Sequence, residues 1–187
     1  GNDPDCNVTY NTVGWSWKAG GSKNTFNVDD VGYASAAAAG LDGGNKSPSG
    51  ASVGTKQGFS ILKFTNDSTS PITLSHGLTQ APTFVILKGL TGSVGWTVGH
   101  ASIGFTKRLK LNSDTGESAS SNFFNDTAPT STLITLGANN VSNDFIMYAW
   151  HDVPGLQKFG SYTGNNNANG PFVELGFRPA VIIIFNT

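Results

Sequence analysis

A single cysteine, Cys6, stands in the 187 residues, so neither an internal disulfide framework nor a thiolate zinc site can be built from this chain. Charge is equally scarce. Eleven Lys and Arg against twelve Asp and Glu leave a net charge of -1, and the basic residues cluster only in TKRLK at 106–110. Such a chain has no positive field with which to displace phosphate counterions, and no nucleic-acid partner is expected. The longest apolar runs, PAVIIIF at 179–185 and FVIL at 84–87, fall far short of the roughly 20 residues that cross a bilayer. No membrane insertion is expected. No charged-then-apolar leader opens the chain, and residue 1 is Gly rather than Met, which suggests a processed chain or a piece of a longer one.

What the sequence has in quantity is glycine, 24 residues, together with Asn, Ser and Thr. Between Gly20 and Gln57 large apolar residues are few, too few to offset the ordering entropy of the stretch by themselves. Residues 1–57 are therefore read as an N-terminal strand plus a Gly/Ser/Ala-rich linker, or an arm ordered by lying on something else. Residues 58–187 are read as the folded domain.

From Gly58 onward short apolar runs alternate with turn residues, the texture of antiparallel sheets. Strands are expected near 59–65, 72–75, 83–88, 95–100, 107–112, 120–124, 132–136, 144–151, 159–163, 171–175 and 180–185. In KRLKL at 107–111, Leu109 and Leu111 share one face and Arg108 and Lys110 the other, the period of a half-buried strand. NDST at 66–69, SDTGE at 113–117, GANN at 137–140 and GNNNANG at 164–170 supply the turns. The pattern predicts an all-β protein, an antiparallel β-sandwich or jelly roll.

Two stretches share an order of landmarks. ILKFTN at 61–66 precedes HGLTQAPTFVILK at 76–88, and FGSYTGN at 159–165 precedes LGFRPAVIIIF at 175–185. Phe64 matches Tyr162 and Pro82 matches Pro179. A second echo aligns YNTVGWSWKAG at 10–20 with FIMYAWHDVPG at 145–155, Trp15 against Trp150. Several residue types recur in order and spacing, so 59–88 and 159–185 read as a partial internal repeat. The terminal segments then either complete this domain's sheets or belong to neighbouring units. The apolar run Val181 to Phe185 favours the first, because an unpaired strand of that kind is an aggregation hazard.

The strings GWSWKAGGS, GFSI, HGLTQAPTFVILK, WTVGHASIG, TKRLKLN, TAPTSTLITLG and YAWHDVPGLQKFGSYTGNNNANGPFVELGFRPAVIII together resemble a domain of marine tailed-bacteriophage virion proteins. In those tail-fibre or appendage proteins it often lies beside lectin-like modules. The resemblance covers the chain except its linker. It implies a structural virion protein exposed on tail or capsid, with a sandwich of concanavalin-like or SPRY-like type, and it transfers no catalytic residues.

Candidate chemistry is thin. His76, His100 and His151 lack the GxSxG or HExxH context of a nucleophile or zinc site, and His151 and Asp152, as neighbours on a strand, point to opposite faces. Most Asp residues, including Asp67, Asp114, Asp126 and Asp144, sit in turns where they cap backbone amides. Glu117 and Glu174 are the only glutamates, a poor supply for the acid pair of a glycosidase. NDPD at 2–5 lacks calcium-loop spacing, and the sequons at Asn7 and Asn125 follow from an Asn- and Thr-rich composition. Aromatics are richer. Trp15 and Trp17 share strand parity and, with Trp150, are read as core or assembly residues; Trp96 and His100 are the first choices for a glycan-binding edge.

The expectation is thus a non-enzymatic virion-surface protein, a tail-fibre or capsid component, self-associating as a homotrimer beside other virion proteins. No cofactor or metal is expected. A carbohydrate-binding module for host envelope glycans is the alternative, and a polysaccharide-degrading enzyme a remote third.

Overall fold

The computed structural model describes residues 16–67, 71–91, 94–138 and 143–186. Trp15, Cys6, the NDPD stretch and the Asn7 sequon lie outside the described residues, as do parts of the NDST and GANN turns.

Eleven strands and one short helix are present among the described residues. In chain order they are β1 (Phe26–Val28), β2 (Val31–Tyr33), β3 (Gly50–Gly54), β4 (Phe59–Asn66), β5 (Ile72–Ser75), β6 (Phe84–Gly89), β7 (Trp96–His100), β8 (Lys107–Lys110), β9 (Ser118–Ala119), α1 (Ser121–Phe124), β10 (Leu133–Leu136) and β11 (Asn143–Trp150). Nine strands form one sheet in the order β2-β1-β3-β4-β11-β6-β7-β8-β9, and β5 pairs with β10 in a second. Every pairing is antiparallel except β1 with β3. The protein is an all-β sandwich.

Alternation along β11 explains which face is which. Phe145, Met147 and Ala149 are fully buried, while Ile146 and Tyr148 between them are only partly so, as the period of two requires. The register carries that division sideways. Phe64 and Leu62 of β4 lie opposite Phe145 and Met147, and Leu87 and Val85 of β6 opposite Met147 and Ala149. These inward side chains meet Ile72 and Leu74 of β5 and Ile134 and Leu136 of β10 in one core. Each fully buried aliphatic or aromatic residue of this kind contributes about 1.5–3 kcal/mol.

Three readings are corrected. The stretch 20–57 is not a linker: it is ordered by lying on β4, as the second alternative had it, and belongs to the same sheet. β1 to β3 extend the sheet from β4, with Ala51, Val53 and Leu41 in the core, so no boundary falls at 57/58. The ordering cost of this Gly-rich chain is offset because the edge of β4 supplies its pairing, from Gly50 opposite Lys63 to Gly54 opposite Phe59. Asp29 and Asp30 both adopt positive φ, the two-residue hairpin geometry, and the Asp29 carboxylate accepts from Thr55 N–H at 2.8 Å and Thr55 Oγ1 at 2.5 Å. Residues 121–124 form α1 rather than a strand, because a turn of helix drops Phe124 into the core while Gly137 N–H bonds the Phe123 carbonyl.

The third correction concerns the C-terminal segment. No strand forms over 159–163, 171–175 or 180–185, and Ile182, Ile183 and Ile184 are each more than 60% exposed. Segments 61–88 and 159–185 therefore differ in conformation here, despite their common landmarks. The reason lies in the topology. β4 and β6 both pair with β11, so both edges of β11 are taken, and second versions of β4 and β6 find no such strand to join among the described residues.

Candidate functional site

The face of the large sheet turned away from the core carries a continuous aromatic band. Trp150 and Tyr148 of β11 lie opposite Phe59 and Ile61 of β4 and opposite Phe84 and Ile86 of β6. Phe59 stacks on Trp150 with centroids 4.6 Å apart, and Phe84 meets Trp150 at 5.3 Å and Phe159 at 5.2 Å. Trp17 packs edge-on against Trp150 at 6.4 Å. Trp150 thus anchors a cluster separate from the main core, and Trp17, half exposed, reaches it from outside the sheet. Phe59, Tyr148, Phe84 and Phe159 were missed by sequence reasoning. The shared parity of Tyr148 with Trp150 was visible, but the neighbours from β4, β6 and the loop after β11 were not.

Trp96 and His100 open and close β7 on this same face, with Val98 between them and a separation of about 13 Å from the strand rise. Trp96 is 37% exposed, and the Lys88 ammonium lies 5.9 Å from its ring centroid while donating to the Val94 carbonyl at 2.6 Å. His100 packs edge-on against Phe84 at 5.9 Å, and its Nδ1 accepts from Ser102 N–H at 3.0 Å. Burial lowers its pKa, against the opposing pull of Asp152.

The other two histidines belong to the architecture. His76 is fully buried; Nδ1 accepts from Leu78 N–H at 3.1 Å and Nε2 donates to the Thr130 carbonyl at 3.1 Å. With both nitrogens engaged by backbone, the ring is neutral and offers no lone pair to a metal or substrate. Its pKa is lowered chiefly by burial and further by His151, while the Thr130 hydrogen bond acts the other way. His151 Nδ1 donates to the Asp152 carbonyl at 2.7 Å. Beside it the Gln157 amide donates to the carbonyls of Gln57, Gly58 and His151 at 2.8–3.2 Å, tying the loop after β11 to the turn before β4.

Among the described residues no group of three or more His, Cys, Asp or Glu side chains is placed to hold a metal ion. A shallow groove of about 520 Å³ lies between β8, β9 and α1, lined by Thr106, Arg108, Ser120, Ser121, Asn122 and Asp126 among others. The Arg108 guanidinium stacks 4.5 Å from the Phe123 centroid. Neither Trp96 nor His100 reaches this groove. The carboxylates serve local structure: Asp152 accepts from Phe159 N–H at 2.9 Å, Asp144 from Thr65 Oγ1 at 2.6 Å, and Lys46 pairs with Asp67 at 2.6 Å.

No helix among the described residues is long and apolar enough to cross a membrane. No curated protein and no solved structure matches the chain. A family model does match, over residues 2–187, and the chain belongs to that family, DUF7483, a domain of unknown function.

Proposed function

We propose that this DUF7483 domain is a structural component of a tailed-bacteriophage virion, a tail-fibre or capsid appendage unit displayed on the particle surface. The observation that carries the reading is the set of strings, HGLTQAPTFVILK, WTVGHASIG and TAPTSTLITLG among them, that resemble those of marine phage appendage domains, here set on an all-β frame. In this reading the domain works by self-association, as a homotrimer, and by contact with other virion proteins.

Immunogold microscopy with an antibody to the domain tests it directly. Label on the tails or capsids of purified particles is the expected result; label confined to infected-cell lysate, with clean particles, overturns it.

A second reading, recognition of host envelope glycans, is favoured by one observation. The Trp96 indole is exposed at the start of β7, beside the Lys88 ammonium, and an open ring edged by a donor is a usable sugar platform. Binding on a glycan array supports this reading and its absence removes it, leaving the structural role untouched.

A further inference from the structure

We infer that the groove between β8, β9 and α1 is a binding site for a free α-amino acid, whose carboxylate pairs with Arg108 and whose ammonium pairs with Asp126.

The first wall of the groove is built on the basic cluster of the sequence, TKRLK at 106–110. Strand parity sends Arg108 and Lys110 to one side of β8 and Lys107 and Leu109 to the other. Lys107 is neutralised by Glu117, whereas Arg108 makes no ion pair or hydrogen bond with any described residue. Its Nε is enclosed and has no acceptor. Phe123 supports the guanidinium from one face, 4.5 Å from the ring centroid, which fixes the planar fork and leaves its donors unspent. An enclosed charged donor left unpaired is costly, so this half-buried head is set for an acceptor from outside the chain. A carboxylate matches its fork.

The second wall comes from the turn around α1. Ser120 N–H donates to the Thr106 carbonyl at 3.0 Å, which ties this wall to β8. Ser120 stands at the N-cap of α1, yet its hydroxyl makes no capping bond, and Ser121 and Asn122 line the groove beside it. α1 is a single turn and contributes side chains alone. Past it, Asn125 and Asp126 both take left-handed backbone at φ 50°, a conformation few non-glycine residues adopt. That reversal returns the chain so that Asp126 lines the groove. Asp126 has no partner among the described residues and does not pair with Arg108.

Two opposite charges, each unpaired and both in one groove, select the ligand. A simple anion such as phosphate would meet the Asp126 carboxylate, and a simple cation the Arg108 guanidinium. A small molecule carrying both charges compensates both. The serine hydroxyls and the Asn122 amide then serve its remaining polar atoms, and a groove of about 520 Å³ has room for it. Neither Trp96 nor His100 lines this groove, so the inference stands apart from the glycan reading.

Calorimetric titration of the full chain tests it, with the free L-amino acids as ligands and acetate and methylammonium as single-charge probes. At least one amino acid should bind, with acetate and methylammonium weaker by about 10-fold or more. Asp126→Asn, at an exposed position whose left-handed backbone asparagine also tolerates, should keep the fold and weaken binding about 10-fold or more. Arg108→Gln should do the same, and if thermal melts show that this variant is unfolded, Asp126→Asn decides alone. Heats of dilution only for every amino acid overturn the proposal. So does acetate binding as tightly as the amino acid, or an unchanged affinity in either folded variant.

Discussion

Gly99 lies directly beneath the ring of Phe124: a Cβ added at Gly99 would come within 2.7 Å of Phe124 Cζ and 2.8 Å of Phe105 Cε1. The two rings meet edge to face at 5.4 Å, and both are core residues. Gly99→Ala therefore overpacks the contact between β7 and α1. It should cost about 1–3 kcal/mol, read as a lower urea midpoint with unchanged slope. Phe124→Ala should cost about 3–5 kcal/mol through the cavity it leaves.

Trp150 packs against Trp17, which precedes β1, and Phe159, which follows β11. Trp150→Ala should destabilise by about 3–5 kcal/mol, whereas Trp17→Ala, at a half-exposed ring, should cost far less. A double-mutant cycle between them should give a coupling of about 0.5–1.5 kcal/mol. Zero coupling would show that the Trp17–Trp150 contact adds nothing to stability.

The pH dependence follows from His76. Its folded pKa is lowered by burial, below the unfolded value of about 6.5, so the unfolded chain binds more protons through that range. The stability associated with the neutral ring is fully present above about pH 6.5 and is lost as the pH falls through the folded pKa. His100 shifts in the same direction and adds to the slope. Thermal melts should show Tm falling below about pH 6.5, and His76→Gln should flatten that decline while lowering Tm at neutral pH.

The glycan reading makes its own prediction. Trp96→Ala, at an exposed ring, should change stability by no more than about 0.5 kcal/mol, yet abolish any glycan signal the intact domain gives. An unaltered glycan signal in that variant would place binding elsewhere.

The strands that were legible in the sequence are those with their own periodicity. β4, β5, β6, β7, β8, β10 and β11 fall within two residues of expectation, because each alternates or carries an apolar run long enough to set a period. β1, β2 and β3 were hidden for a physical reason. FNV, VGY and GASVG are too short or too glycine-rich to advertise a face, and they are strands because β4 offers an edge. The Asp29-Asp30 pair between Val28 and Val31 was the available hairpin signal. Four residues likewise cannot display a helical period, so α1 was legible only through the core that receives Phe124. For the C-terminal segment the strands expected from local propensity do not form, because a strand also needs a partner, and a partner is a property of topology. The candidate residues divide in the same way: Trp150 was identified from its aromatic character, while the band around it required the register of three strands.

The central claim is that this domain builds particles by self-association. Size-exclusion chromatography with light scattering on the purified full chain tests it most directly. The account predicts a species with the mass of three chains, persisting on dilution into the micromolar range. A single-chain mass at every concentration would contradict it.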